Sequence, residues 1–158
     1  MLNLPSMPSV TFQLELDEPV MPLDRTTFGP GTCLEAFSEQ SRTTFPHSKG
    51  RLSIILGPPE KFLKMPAEEI LEHVIEDAKK LGLDLAPRIK AYRKVAWPFD
   101  FYLLSPGNEK LRPPQKTPIA GLTLAGDYTK QDFLASMEGA AVSGKIAADI
   151  VMHALNAA

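Results

Sequence analysis

Gly121-Leu-Thr-Leu-Ala-Gly-Asp127, followed by Tyr128-Thr-Lys-Gln-Asp-Phe-Leu-Ala-Ser136 and Met137-Glu-Gly-Ala-Ala-Val-Ser-Gly-Lys-Ile-Ala-Ala148, is the stretch whose reading decides the fold. Leu122 to Ala125 reads as a short buried strand that delivers Gly126-Asp127 to a polar turn, and Ala135 to Leu155 reads as a helix. Gly139, Ala140, Ser143, Gly144, Ala147 and Ala148 make a band of small residues, flanked by Met137, Val142, Ile146, Ile150 and Val151. Each internal glycine costs a soluble helix backbone entropy, so such a band predicts tight packing against another backbone, here a sheet. The order strand, Gly-Asp, helix places Gly126 and Asp127 where open α/β proteins bind ligands. A glycine admits close backbone approach, an Asp accepts hydrogen bonds from hydroxyls, and a helix starting near Ser136 offers free N–H groups to an electron-rich atom. The same order also describes a plain βα junction with a capping Asp, and local physics leaves both readings open.

Outward from that segment, the sequence becomes more strand-like. Val10–Asp17 and Arg51–Gly57 carry the alternation of half-buried strands, with Thr32–Glu39 a weaker third. Such a meander needs a cover for its apolar face. Residues 66–81 supply it: Ile70, Leu71, Val74, Ile75, Ala78 and Leu81 recur at helical spacing, Pro66 and Glu68-Glu69 mark the start, and Lys79-Lys80 before Gly82 mark the end. Arg88–Trp97 reads as extended, with Tyr92, Val95 and Trp97 as anchors. Phe99–Asn108 reads as an apolar loop, and the aromatic cluster Trp97, Phe99, Phe101 and Tyr102 reads first as core and second as a lipophilic pocket. Fifteen prolines, about twice the usual share, punctuate the connections.

Composition narrows the function classes. The chain has 158 residues, one domain's worth, with 17 Lys+Arg against 19 Asp+Glu. That near-neutral balance argues against nucleic acid as a partner. One cysteine rules out an internal disulfide, and Cys33 reads as an ordinary partly buried thiol. His47, His73 and His153 form no metal signature, so no metal site is expected. The N-terminal residues lack a basic leader and an apolar run, and no segment is long and apolar enough to span a bilayer; the expectation is a cytoplasmic or peripherally membrane-associated protein. Neither Gly-x-Gly-x-x-Gly nor a Walker-type loop occurs. Lys110, Arg112 and Lys116 make a modest basic patch, read as solvated positioning residues ahead of contacts to phosphate, carboxylate or an anionic membrane.

The words Asp127-Tyr-Thr-Lys-Gln131 and Ser136-Met-Glu-Gly-Ala140, with Arg112-Pro113 and Thr117-Pro-Ile-Ala-Gly121 upstream, closely resemble the C-terminal flavin-binding segment of phytoene and zeta-carotene desaturases, within the flavin amine-oxidase superfamily. The resemblance covers the last third of such an enzyme. It implies an α/β fold class, as an α+β fragment: the C-terminal part of an FAD-binding Rossmann-like domain over 117–158, and part of an antiparallel-sheet substrate domain over 1–116. It also implies FAD in the complete enzyme, a lipophilic isoprenoid substrate such as a carotene precursor, and a quinone or other electron acceptor. The N-terminal FAD-binding half, with the glycine-rich diphosphate loop, is missing from this stretch, so the isolated chain is expected to be inactive.

Carried over residue by residue, the resemblance makes Gly126 the close-approach glycine and Asp127 the carboxylate at the ribityl or diphosphate region. Met137 is the residue whose N–H faces the pyrimidine carbonyl, and Glu138, Gly139 and Ala140 continue the motif. It assigns no catalytic acid or base. Another flavin amine-oxidase superfamily member, such as an amine oxidase or isomerase, and a non-catalytic interaction domain are the competing readings.

Overall fold

The computed structural model describes residues 4–103 and 105–156. It contains strands β1 (Ser6–Leu16), β2 (Thr26–Phe28), β3 (Leu34–Glu39), β4 (Gly50–Leu56) and β5 (Ile89–Tyr102), and helices α1 (Pro59–Phe62), α2 (Ala67–Lys80) and α3 (Met137–Asn156). The chain divides into two compact units: Pro8–Asp100, and the residues before Pro8 together with those from Phe101 onward.

The strands form one sheet in the order β2-β3-β4-β1-β5. The β2–β3, β3–β4 and β4–β1 pairs are antiparallel. β1 therefore lies inside the sheet between β4 and β5, which a simple meander would not do. Phe12 stands opposite Ile54 and Leu14 opposite Leu52, so the two alternating apolar rows lie side by side on one face. Val10, Phe12, Leu14, Leu52 and Ile54 are wholly buried, whereas Ile55, one residue out of phase, is 47% exposed. Between Leu34 and Ala36 the β3–β4 register slips, which marks a bulge where the strand enters the sheet.

Helix α2 covers that face as its periodicity predicts. Ile70, Val74 and Ala78, one turn apart, are buried in the same cluster as the sheet residues, and Leu71 and Leu81 pack at its margin. No side chain caps the N-terminus. Pro66 occupies the cap position, and Glu68 and Glu69 oppose the positive end of the helix dipole. The C-terminus closes by a Schellman pair: Gly82 N–H donates to Lys79 O at 3.0 Å and Leu83 N–H to Ala78 O at 2.9 Å, with Gly82 at φ +77°. A side-chain bond ties the helix to the sheet, because Cys33 N–H donates to Asp77 Oδ2 at 2.7 Å. Burial, with the neighbouring Asp77 carboxylate adding to it, raises the Cys33 thiol to about 12, so this cysteine stays protonated at neutral pH.

Three expectations are corrected. The extended segment expected over Arg88–Trp97 runs on as β5 (Ile89–Tyr102), taking in the first four residues of the stretch expected to be a loop, Phe99–Asn108; Pro98 is tolerated within it because the strand lies at the sheet edge. Its aromatics are not core: Tyr92 stacks on Phe12 at 5.7 Å, but Trp97 is 58% and Phe99 80% exposed. Leu122–Ala125 forms no strand; Thr123 makes an isolated bridge to Lys116, since a strand needs a neighbour along its length. No described helix is long and apolar enough to cross a membrane.

Candidate functional site

The turn between Gly126 and Ser136 is held from below by side chains that reach it from three places in the sequence. Tyr102 ends β5, Arg112 follows the short 3-10 turn Glu109–Leu111, and Gln115 comes after the Pro113-Pro114 pair. Gln115 Nε2 donates to Thr129 Oγ1 at 3.1 Å and to Lys130 O at 2.9 Å, and its own carbonyl accepts Leu124 N–H at 2.8 Å. Lys130 N–H donates to Pro113 O at 2.9 Å. Thr129 Oγ1 lies 2.8 Å from Gly126 O and 2.5 Å from Ser143 Oγ, while Ser143 Oγ accepts Gly126 N–H at 3.0 Å. The small-residue band of α3 thus has a second use. Ser143 and Ala147 are buried, and Ser143 fixes both ends of the Gly126–Thr129 turn to the helix.

Gly126 has φ +146°, a conformation that side-chain-bearing residues rarely adopt, and a Cβ built on it would stand 2.5 Å from the Tyr128 ring. The requirement for glycine here is met by Tyr128 and the backbone angle; the space beside its Cα is filled. Asp127 presents its backbone carbonyl inward, to Tyr102 Oη at 2.9 Å, Gln131 Nε2 at 3.0 Å and Arg112 Nη2 at 3.1 Å. Its half-buried carboxylate takes part in no hydrogen bond or ion pair among the described residues. Burial pushes the Tyr102 phenol above its ordinary range, against the pull of the Arg112 charge, so Tyr102 stays a donor.

Ser136 caps α3. Its Oγ accepts Gly139 N–H at 3.1 Å and its carbonyl accepts Ala140 N–H at 3.0 Å. The N–H groups of Met137 and Glu138 precede the first intrahelical bond and have no acceptor within the helix. Met137 itself is 92% exposed, Glu138 is exposed and Gly139 is buried. A Cβ on Gly139 would meet Gln131 Nε2 at 2.4 Å, so this glycine makes room for the Gln131 amide.

The sequence candidates therefore lie on two ends of one braced turn: Gly126 and Asp127 at its entry, and Met137, Glu138, Gly139 and Ala140 at its exit. An acceptor carboxylate at one end and free helix N–H groups at the other suit a ligand with both hydroxyls and an electron-rich carbonyl, which a flavin with its ribityl chain has. Neither the sequence nor the turn supplies a glycine-rich diphosphate loop. Among the described residues no group of three or more His, Cys, Asp or Glu could hold a metal ion.

Sequence reasoning did not single out Gln115, Gln131 and Ser143 as braces, and it read Arg112 as a solvated cation. The signal for Arg112 is its place between a 3-10 turn and a proline pair, which fixes the direction its side chain leaves the backbone.

A model of the family described as flavin containing amine oxidoreductase matches residues 1–152. The chain is 29% identical over 158 residues to the 15-cis-phytoene desaturase of Synechococcus elongatus, covering 95% of this chain and 33% of that protein. It is 33% identical over 139 residues to the chloroplastic/chromoplastic 15-cis-phytoene desaturase of Solanum lycopersicum, covering 82% and 24% respectively. Over 106 residues it is 40% identical to a probable zeta-carotene desaturase of Synechococcus elongatus, covering 65% and 22%. Among solved structures, an oxidoreductase from Methanosarcina mazei superposes with a TM-score of 0.59 at 20% identity, over 89% of this chain and 33% of that one, a likeness of fold. The chain spans a third or less of the length of these relatives.

Proposed function

The chain belongs to the flavin containing amine oxidoreductase family, and we propose that it supplies the flavin-side turn and part of the substrate-side sheet of an FAD-dependent desaturase acting on a long isoprenoid, such as a carotenoid precursor. The family's cofactor is FAD. The observation that carries the reading is the braced turn, which holds an uncommitted carboxylate at Asp127 and a solvent-facing helix start at Met137. When bound, FAD would supply the redox chemistry, the two-electron oxidation that introduces a double bond.

The residues of this chain bind and orient. Asp127 accepts hydrogen bonds from the sugar-alcohol hydroxyls. The Met137 N–H, at the positive end of α3, stabilises negative charge at the pyrimidine carbonyl. Glu138, Gly139 and Ala140 keep the first turn of α3 in place. The diphosphate contacts come from an N-terminal FAD-binding half, in the same polypeptide or a second one, and a quinone or other oxidant receives the electrons. In this arrangement residues 117–158 serve the cofactor and residues 1–116 the substrate side, in the cytoplasm or at a membrane face where long isoprenoids reside.

The test is FAD titration of the 158-residue chain and of the Asp127→Asn and Asp127→Ala variants, alone and together with the N-terminal portion of a relative. The chain alone should bind weakly, because the diphosphate contacts lie elsewhere; tight one-to-one binding by it would remove that argument. In the reconstituted protein Asp127→Ala should weaken FAD by roughly ten- to a hundredfold, the worth of a charged hydrogen-bond partner, with Asn intermediate. Equal affinities in three folded proteins would demote the turn to a plain βα junction and favour a non-catalytic domain.

A further inference from the structure

Arg112 is the strongest polar feature of the C-terminal unit that the proposed function does not use. Its side chain is only 2% exposed, and the Glu109 carboxylate lies 3.2 Å away with half of its own side chain in water. Taking a guanidinium out of water is costly unless its donors are used. Here Nη1 donates to Gln131 O at 2.9 Å and Nη2 to Asp127 O at 3.1 Å, while the Tyr102 ring lies 5.5 Å from the guanidinium carbon. The buried Nε has no partner among the described residues. The fork thus grips two backbone carbonyls four residues apart, at both ends of the turn that carries Asp127. Gln131 extends the grip: its Nε2 returns to Asp127 O at 3.0 Å and fills the place where a side chain on Gly139 would begin.

We propose that Arg112 is a positioning residue for the flavin-side turn, its planar fork fixing the Asp127 peptide and, through Gln131 against Gly139, the first turn of α3. The Asp127 carboxylate and the Met137 N–H are then presented as a pair of fixed separation. The role rests on the proposed function for what the pair receives, but the clamp itself can be judged without any cofactor. It requires an arginine, because a lysine ammonium is a point charge and cannot present two parallel donors in one plane.

The experiment is amide hydrogen exchange by NMR on the 158-residue chain, comparing wild type with Arg112→Lys, Arg112→Ala and Tyr102→Phe. The Thr129, Lys130 and Ala140 amides, bonded at 2.9–3.1 Å in this turn and the first turn of α3, report on the clamp; Leu14 and Ile54 in the sheet are controls. Lys and Ala should both exchange at least tenfold faster at the reporters with the controls unchanged, and millimolar guanidinium should restore protection to the Ala variant. Tyr102→Phe, which removes one of three donors to Asp127 O, should give a change of severalfold. Protection retained in Arg112→Lys, or failure of guanidinium to act on a folded Ala variant, would overturn the clamp. If the Arg112 variants do not fold, an unchanged Tyr102→Phe would overturn it as well. Shifts of the Met137 and Tyr128 amides on adding millimolar FAD form the second arm, with at least tenfold weaker binding expected for Arg112→Lys. Absence of those shifts in wild type would count against the proposed function and leave the exchange result to decide the clamp.

Discussion

In the unit spanning Pro8–Asp100, Phe12, Leu14, Leu52 and Ile54 meet Ile70 and Val74 across a helix–sheet interface from which water is wholly excluded. In the unit that runs from Phe101 onward, the buried side chains among the described residues are Arg112, Gln115, Thr129, Gln131 and Ser143, with Ala147 as the apolar exception. The first region is held by apolar burial, which is non-directional and roughly proportional to area. The second is held by directed bonds, each worth little net but expensive to leave unmade. A hydrophobic core tolerates a change of shape more readily than a polar network tolerates the loss of one member. Such a network also fixes a backbone turn in one conformation, as presenting a carboxylate and a helix end to a ligand demands.

The largest effect expected from this contrast is in the sheet. Phe12→Ala removes a wholly buried ring that stacks on Tyr92 and faces Ile54, and should cost about 3–5 kcal/mol. Urea denaturation followed through sheet amides would measure it. A loss under about 1 kcal/mol would mean that the site collapses to fill the void, and that this core is less closely packed than its burial implies. Next comes Ser143→Ala. The Gly126 N–H and Thr129 Oγ1 lose their shared partner, at a cost of about 1–3 kcal/mol concentrated in the turn. Local hydrogen exchange, with β1 and β4 amides as reference, separates it from a global loss. A uniform change across both units would erase the distinction between them.

The two regions also differ in how much of them could be read in advance. Helix α2 and strands β1, β3 and β4 carry their periods in the sequence because one face is buried by residues of the same unit, so pattern and environment coincide. Strand β5 broke its period at Pro98 and exposes Trp97 and Phe99, and without a regular buried row it read as two pieces. Strand β2, three residues among prolines and glycines, was too short to register. In the C-terminal unit the small-residue band and a helix start near Ser136 were legible and α3 followed from them, whereas the Ser136 hydroxyl as its cap shows only in the structure. Leu122–Ala125 had the propensity of a strand but not the neighbour. The Gly126–Asp127 turn was legible as a place; the braces beneath it were not. Gln115, Gln131 and Arg112 are ordinary surface residues by composition, and only the three-dimensional convergence of their donors on Asp127 O, Lys130 O and Gln131 O reveals their use.

A polar bond inside the apolar unit sharpens the comparison from the other side. Desolvation opposes ionisation of Asp77, yet hydrogen bonds from Lys80 and from the Cys33 backbone and thiol bring it from an ordinary 3.8 to about 2. The folded state therefore favours the carboxylate. Its contribution is complete above the ordinary value and is lost as pH falls through about 2, the unfolded chain binding the extra proton in between. Asp77→Asn should cost roughly 1 kcal/mol at neutral pH, less than an enclosed pair because the Lys80 partner is exposed. The difference between wild type and variant should shrink below pH 4 and vanish near pH 2 in denaturation curves. A difference independent of pH would assign the effect to packing instead of charge.

The smallest effect expected comes from a second phenylalanine of the same sheet. Phe99 is 80% exposed on β5, where Phe12 is wholly buried on β1. If burial, and not aromatic character or strand membership, is what holds the sheet unit, Phe99→Ser should change its stability by no more than about 0.5 kcal/mol, the usual range for a surface substitution. Part of even that would be strand propensity, since serine fits a pleated edge less well than an aromatic. Nearby, Ser9 Oγ donates to the Asp100 carboxylate and is untouched by the change. Binding of a fluorescent apolar dye should fall in the same variant, because Phe99 and Trp97 offer their rings to solvent two positions apart on one strand. The two readouts must move differently for the comparison to stand: dye binding down, unfolding midpoint unchanged. A cost of 1.5–3 kcal/mol, roughly what full burial of such a side chain is worth, would instead place Phe99 in a packed environment and extend the apolar core of the sheet unit to its outer edge.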